Sequence, residues 1–216
     1  MLPVPQLIAP GTLDSRQLLP SFLYLPSEQE FAPGSLGLPW EPGAREIVGE
    51  LARTHGAKVP ARLVSSAKSW LSHPGVDRTA ALLPWNAPPE VKKVSALEAS
   101  ARYLRHLKQA WEAGLGEGAP LAEQELILTV PASFDAAARE LTLTAAREAG
   151  LPTPTLLEVQ VGEGTVRGAQ IDADRVARHV SSARPRRAPG RGRRSPRRRW
   201  GSGPRWPPSP DASAIR

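Results

Sequence analysis

The sequence predicts an α/β fold followed by a basic stretch that builds no core. Three observations carry that expectation. Glu125 to Leu151 reads as strand, loop and helix in one run. Ser95 to Ala113 reads as a second, well-capped helix. Ser181 to Pro210 is Arg, Pro, Gly and Ser with almost no aliphatic residue.

Leu126 to Val130 is a near-continuous apolar run with β-branched members. Such a run suits a strand buried on both faces, as in a parallel sheet. Pro131 has no N–H and is expected to end the ladder. Asp135 suits an N-cap, because its carboxylate can accept from free N–H groups of the next turn. From Ala136 to Ala149 the period is helical, with Phe134, Ala138, Leu141, Ala145 and Ala149 on one side. Gly150 fits the left-handed position after a helix, and Pro152 prevents continuation.

Leu18 to Leu25 reads as a strand entered through Pro20-Ser21, since proline is tolerated at a strand's first residue. In Ala44 to His55 the apolar spacing alone gives an amphipathic helix. Gly49 is a poor residue for its middle. Ala61 to Leu71 reads as another short helix, with Lys68 as a solvated charge. Ser72 to Pro89 is a proline-rich loop or hairpin holding Leu82, Leu83 and Trp85. Ser95 and Glu98 make a capping box for the helix that follows. Leu97, Ala101, Leu104 and Trp111 form its apolar stripe, and Arg102, Arg105 and Lys108 a solvated face. Gly114 is expected to stop it.

Length and composition exclude several classes. With 216 residues the chain is long enough for one domain with a sizeable core. It has no cysteine, which excludes disulfide frameworks and thiolate metal sites. The first residues lack a secretory signal and no run is long enough to span a membrane, so a cytoplasmic protein is the default expectation. The net charge is +7, but Ser181 to Arg216 alone hold eleven Arg and one Asp, leaving the first 180 residues slightly acidic. That last segment cannot bury enough apolar surface to offset its chain entropy, and disorder is expected over 181–216.

Val130-Pro131-Ala132-Ser133-Phe134-Asp135, with Arg139 and the closing Ala149-Gly150-Leu151, resembles the seventy-kilodalton heat-shock chaperones of the DnaK type. In that family a Val-Pro-Ala-aromatic-Phe segment precedes a helix that carries an Arg and ends in Ala-Gly-Leu. Further similarity lies in the Arg16 to Ser21 strand entry, in Ala67-Lys68, and in Ile47 to Arg53, where the resemblance implies a strand ending at Val48-Gly49 and a short helix after it in place of one helix over 44–55. The resemblance covers residues 1–158 and implies part of an actin-like (ribonuclease H-like) ATPase domain. Residues 159–180 fit no expected element.

The family's activity is ATP binding and hydrolysis coupled to protein folding, with ATP and Mg²⁺ as cofactors and unfolded clients and co-chaperones as partners. The resemblance assigns Pro131 and Arg139 to an interdomain switch and puts the family's Lys at Arg53. Arg is not a conservative replacement there, since a planar fork takes the place of a compact ammonium. The expected catalytic Glu and following Pro fall at Val159 and Gln160. Neither glycine-rich phosphate hairpin is identifiable, although peptide N–H groups at such turns are what hold phosphate oxygens. Pro10-Gly11-Thr12 is an ordinary turn. Gly162-Glu163-Gly164-Thr165 has no buried strand before it. These gaps count against nucleotide binding by this chain, and no metal ligand set is expected.

Two other readings stand beside this one. The Arg-rich end, with Trp200 and Trp206, fits non-specific binding of nucleic acid through phosphate contacts and stacking. The loss of pattern at Val159 also fits an out-of-frame tail on a non-functional remnant. On that reading, other frames of the coding DNA should hold the missing Glu-Pro pair and phosphate loops.

Overall fold

The computed structural model describes residues 2–159. The expectations for 160–180 and for the basic segment 181–216 lie outside the described residues. The fold is mixed α/β with three small sheets.

The first element was not apparent in the sequence. β1 (Val4–Ala9) and β2 (Thr12–Arg16) form an antiparallel hairpin around Pro10-Gly11. Gly11 has φ +70°, a conformation that glycine adopts without strain. Pro5 is tolerated because its backbone faces away from β2. Its carbonyl instead accepts from Nε2 of the buried His106 at 2.8 Å. Burial pushes the His106 imidazole below its usual pKa, although that bond to Pro5 favours the protonated form.

β3 (Phe22–Tyr24) follows Pro20-Ser21 as expected and is the centre of an antiparallel sheet ordered β4-β3-β5. β4 (Ile47–Val48) and α1 (Glu50–Gly56) settle the alternative for 44–55 in favour of strand, glycine turn and helix. The single helix expected over 61–71 is corrected. Pro60–Arg62 is one 3₁₀ turn, Leu63–Ser65 is β5, and only Ala67–Trp70 forms α2. Pairing of Leu63, Val64 and Ser65 with β3 outweighs the local helical pattern.

α3 (Ala96–Leu115) carries the expected capping box. Ser95 Oγ accepts the Glu98 N–H at 3.0 Å, and Glu98 Oε2 accepts the Ser95 N–H at 2.8 Å. The helix runs through Gly114. Its buried residues are Ala96, Ala99, Ala101, His106 and Ala110, whereas Leu97, Leu104 and Trp111 are only half-buried. Small residues therefore make the closest packing, which lets neighbouring backbones approach.

β6 (Ile127–Pro131), α4 (Ala136–Glu148) and β7 (Thr155–Val159) form a β-α-β unit with the two strands parallel and Pro131 opposite Val159. α4 agrees with the sequence in detail. Asp135 Oδ1 accepts the Ala138 N–H at 2.7 Å, and Phe134, Ala138, Ala145 and Ala149 are buried. At the far end, Leu151 N–H donates to Ala146 and Gly150 N–H to Arg147, with Gly150 at φ +73°. This is the paired bonding of a Schellman motif.

Two expectations for β6 are corrected. It is not buried on both faces: Val130 is buried, but Ile127 is 40% exposed. Among the described residues β6 pairs only with β7. Val130 and Leu156 join the core with Phe134 and Ala138, while Ile127 and Leu157 on the other face are open. Nor does Pro131 end the ladder, because the Ala132 N–H still donates to Val159. Leu126 and Ala132 both bond β7, so the even positions face β7. The missing N–H of Pro131 falls on the other edge and breaks no bond.

Two apolar clusters hold these parts. One joins Leu23, Val64, Ala67, Leu83, Val94, Ala99, Val130 and Phe134. The other joins Leu7, Tyr24, Leu36, Ile47 and Leu51. Beside the second, Glu30 accepts from the Tyr24 hydroxyl and lies 2.8 Å from His55 Nε2, closing the long β3–β4 loop onto α1. Burial, followed by the Glu30 hydrogen bond, raises the Tyr24 pKa well above the ordinary phenol range.

Candidate functional site

The C-terminal end of β6 and the start of α4 bring together most of the residues singled out in the sequence. Ligands in α/β folds bind outside the carboxyl ends of strands. Pro131 is the last residue of β6, and its carbonyl accepts the Phe134 N–H at 3.0 Å, tightening the turn into α4. Arg139 lies one helical turn into α4. Its Nε donates to the Phe134 carbonyl at 3.1 Å, and its Nη1 pairs with Glu158 at 2.8 Å. Arg139 therefore ties the βα turn to β7, one residue before Val159. Pro131, Arg139 and Val159 converge at this junction.

Arg53 does not join them through its own element. It lies on α1, which packs on β1, β3, β4 and β5. Its side chain is 52% exposed and pairs with Glu50, at 2.6 Å, one turn away. In that setting it is a helix-surface charge.

Another cation at the junction is Lys68, expected to be solvated and here corrected. Lys68 lies on the short α2, whose Ala67 is buried in the first cluster. Its Nζ donates to the Thr129 carbonyl at 3.3 Å and lies 5.9 Å from the centre of the Phe134 ring. Thr129 is an odd position, so its carbonyl faces the edge of β6 away from β7. Lys68 thus covers a strand-edge acceptor. Desolvation lowers its pKa below the usual lysine range. Lysine is the side chain whose ammonium most readily changes charge state on burial. Nothing in the local spacing signals this, since Thr129 is 61 residues away in sequence.

The adjoining carboxylate is already engaged. Asp135 receives Arg78 Nη1 and Nη2 at 2.8 Å each, besides capping α4. The Arg78 hydrogen bonds, together with the Ala138 N–H, lower its pKa to about 2. Among the described residues no three His, Asp or Glu side chains gather into a metal-holding group. The β1–β2 turn offers one exposed glycine, Gly11. Among the described residues, too, no helix is long and apolar enough to cross a membrane.

Comparison with known proteins gives partial relatives of one kind. The chain is 39% identical over 127 residues to the chaperone protein HscA homolog of Laribacter hongkongensis (strain HLHK9), covering 54% of this chain and 20% of that protein. It is 31% identical over 155 residues to the heat shock 70 kDa protein BIP3 of Oryza sativa subsp. japonica, covering 60% and 23%. The chain thus spans about a fifth of the length of these curated relatives. No family model matches it. The similarity is to heat-shock 70 chaperones and extends over somewhat more than half of the chain.

Proposed function

We propose that residues 1–158 are part of the nucleotide-binding domain of a DnaK-type chaperone relative, with an incomplete ATPase site. The supporting observation is the β6–α4 junction. Its Val-Pro-Ala-x-Phe turn, its Arg139 on the first turns of α4 and its Ala-Gly-Leu close are held by specific bonds rather than by generic packing. The two chaperone relatives point the same way. Pro131 and Arg139 are the coupling elements of such a domain, and Arg53 holds the position of the family's phosphate-contacting Lys. ATP, Mg²⁺, clients and co-chaperones belong to the complete protein of this class.

Hydrolysis by this chain is expected to be absent. Phosphoryl transfer depends on positioning and charge stabilisation. Val159 stands where a carboxylate is required, and the described residues supply no phosphate cradle. Losing even one well-placed electrostatic contributor costs about a hundredfold or more. Single-turnover hydrolysis of Mg·ATP tests the reading with the full chain, Lys68→Ala and Arg53→Ala. The expected result is the buffer rate in all three. Turnover that Lys68→Ala removes means a working site and overturns the incomplete-site reading. Turnover that Arg53→Ala removes means that Arg53 serves a working site and equally overturns that reading.

A further inference from the structure

The outer edge of β2 lies apart from the β6–α4 junction. Among the described residues β2 bonds only to β1. Pro5 lies opposite Ser15, and Leu7 opposite Leu13. The backbone of Pro5 faces away from β2. In an antiparallel ladder Ser15, and two residues along Leu13, then face away from β1. Their N–H and carbonyl groups make the outer edge. There the Ser15 N–H is met by the adjacent Asp14 carboxylate, at 2.8 Å. Every residue of β2 except Asp14 is exposed, including Leu13 at 38%. Gln17 and Leu18, next in the chain, are exposed too, so the edge runs on past the strand.

Unpaired edges are usually blunted, because they template pairing with another strand. The β6 edge is blunted, since Lys68 covers the Thr129 carbonyl and Pro131 has no N–H. β4 and β5 are short, with two and three residues. β2 has five residues and carries neither proline nor lysine. Its charges are Asp14 and Arg16, two residues apart on one face and paired with each other at 2.6 Å. The strand is held firmly from behind. Leu7 of β1 is buried, and at the turn the Gly11 N–H donates to the Ser35 carbonyl at 2.6 Å.

We propose that β2 pairs antiparallel with β2 of a second copy of this chain, across a twofold axis at Ser15. The two Ser15 residues face each other with their outward groups, and each N–H exchanges the Asp14 carboxylate for a backbone carbonyl. This register sets Asp14 of each copy opposite Arg16 of the other. Both pairs fall at non-hydrogen-bonded positions, where side chains come closest and opposite charges attract. Moving the axis by one residue, onto Asp14 or onto Arg16, sets like charges opposite each other. The two signs on one short strand therefore select both the partner and the register. Such an interface is self-complementary, as a twofold contact requires. It is also small, which places the dimer in the weak, reversible class.

The test is sedimentation equilibrium of the full chain from micromolar to near-millimolar concentration. The wild type should pass from the monomer mass toward twice that mass. Asp14→Arg and Arg16→Asp each set like charges across the axis. Each alone should stay monomeric where the wild type is a dimer. An equimolar mixture of the two restores both opposite-charge pairs and should dimerise again, as should the double variant. Ser15→Pro removes the central outward N–H without touching a bond to β1, and it should be monomeric. All three positions lie on the exposed hairpin strand, so the fold is expected to persist, with thermal transitions as the check. A wild type that stays monomeric overturns the proposal. So does a dimer that either charge reversal or Ser15→Pro leaves intact, or a mixture that fails to dimerise.

Discussion

The side-chain oxygen of Gln6 accepts the backbone N–H of Glu50 at 2.9 Å, joining β1 to the first turn of α1. The other end of the same amide donates to the Leu18 carbonyl at 2.8 Å. Gln6 is fully buried, whereas Glu50 is half-buried and Leu18 is exposed, so the two bonds lie at the edge of the core. α1 has no side-chain cap of its own, because its N-cap is Gly49. Gln6 supplies from a distance what a capping residue normally supplies locally. Gly49, at φ +92°, makes the contact possible: an added Cβ would lie 2.6 Å from the Gln6 oxygen.

Replacing Gln6 by Leu should therefore cost about 1–2 kcal/mol, because two part-buried hydrogen bonds, to the Glu50 N–H and the Leu18 carbonyl, are lost together. The shift in urea midpoint measures it. A change smaller than about 0.5 kcal/mol would mean that water reaches Glu50 and Leu18 in the folded chain.

Asp135 gives a prediction in acid. Arg78, then the Ala138 N–H, lowers its pKa to about 2, from an ordinary 3.8. A carboxyl whose folded pKa is depressed contributes stability that is present above the unfolded pKa and lost as pH falls through the folded one. Wild type should lose that contribution between about pH 4 and about pH 2. Asp135→Asn keeps a capping oxygen but has no carboxyl to protonate. Its urea midpoint should fall less steeply across the same window. Parallel curves would show that the Arg78 pair is not formed in solution.

What was legible in the sequence is what is decided locally. α4 is the clearest case, since Asp135, the Phe134-Ala138-Ala145-Ala149 face and Gly150 lie within one continuous stretch, and each does what its chemistry requires. The Ser95–Glu98 box is equally local. Pro131 and Arg139 lie within that same unit.

What was not legible depends on partners far away in the chain. β5 has three residues and exists because β3 lies beside it. The β1–β2 hairpin was hidden by Pro3, Pro5 and Pro10, whose cost depends on which way each backbone faces. β6 has an apolar sequence suited to burial on both faces, but α4 and the core cover only one. The same holds for the site. Arg53 matched a short pattern, whereas the burial of Lys68 follows from the meeting of α2 with β6.

Lys68 yields the last prediction. Desolvation lowers its pKa in the folded chain. Its single protein hydrogen bond goes to the Thr129 carbonyl, and among the described residues no salt-bridging carboxylate meets it. Between the lowered folded pKa and the ordinary lysine value the unfolded chain binds more protons than the folded one. Stability should therefore rise with pH across that window, the same sign as at Asp135, because a lowered folded pKa in either group leaves the unfolded chain holding more protons. Lys68→Met keeps the length of the side chain and its packing near Phe134 but removes the titrating ammonium. At neutral pH the variant should match or exceed the wild type in stability, because a partly buried charge without a counter-charge is replaced by an apolar chain. As pH climbs toward about 10 the wild type should gain on the variant. Urea midpoints of both proteins at neutral and alkaline pH decide the matter. A difference that stays constant would place the Lys68 ammonium in water and remove it from the β6 edge.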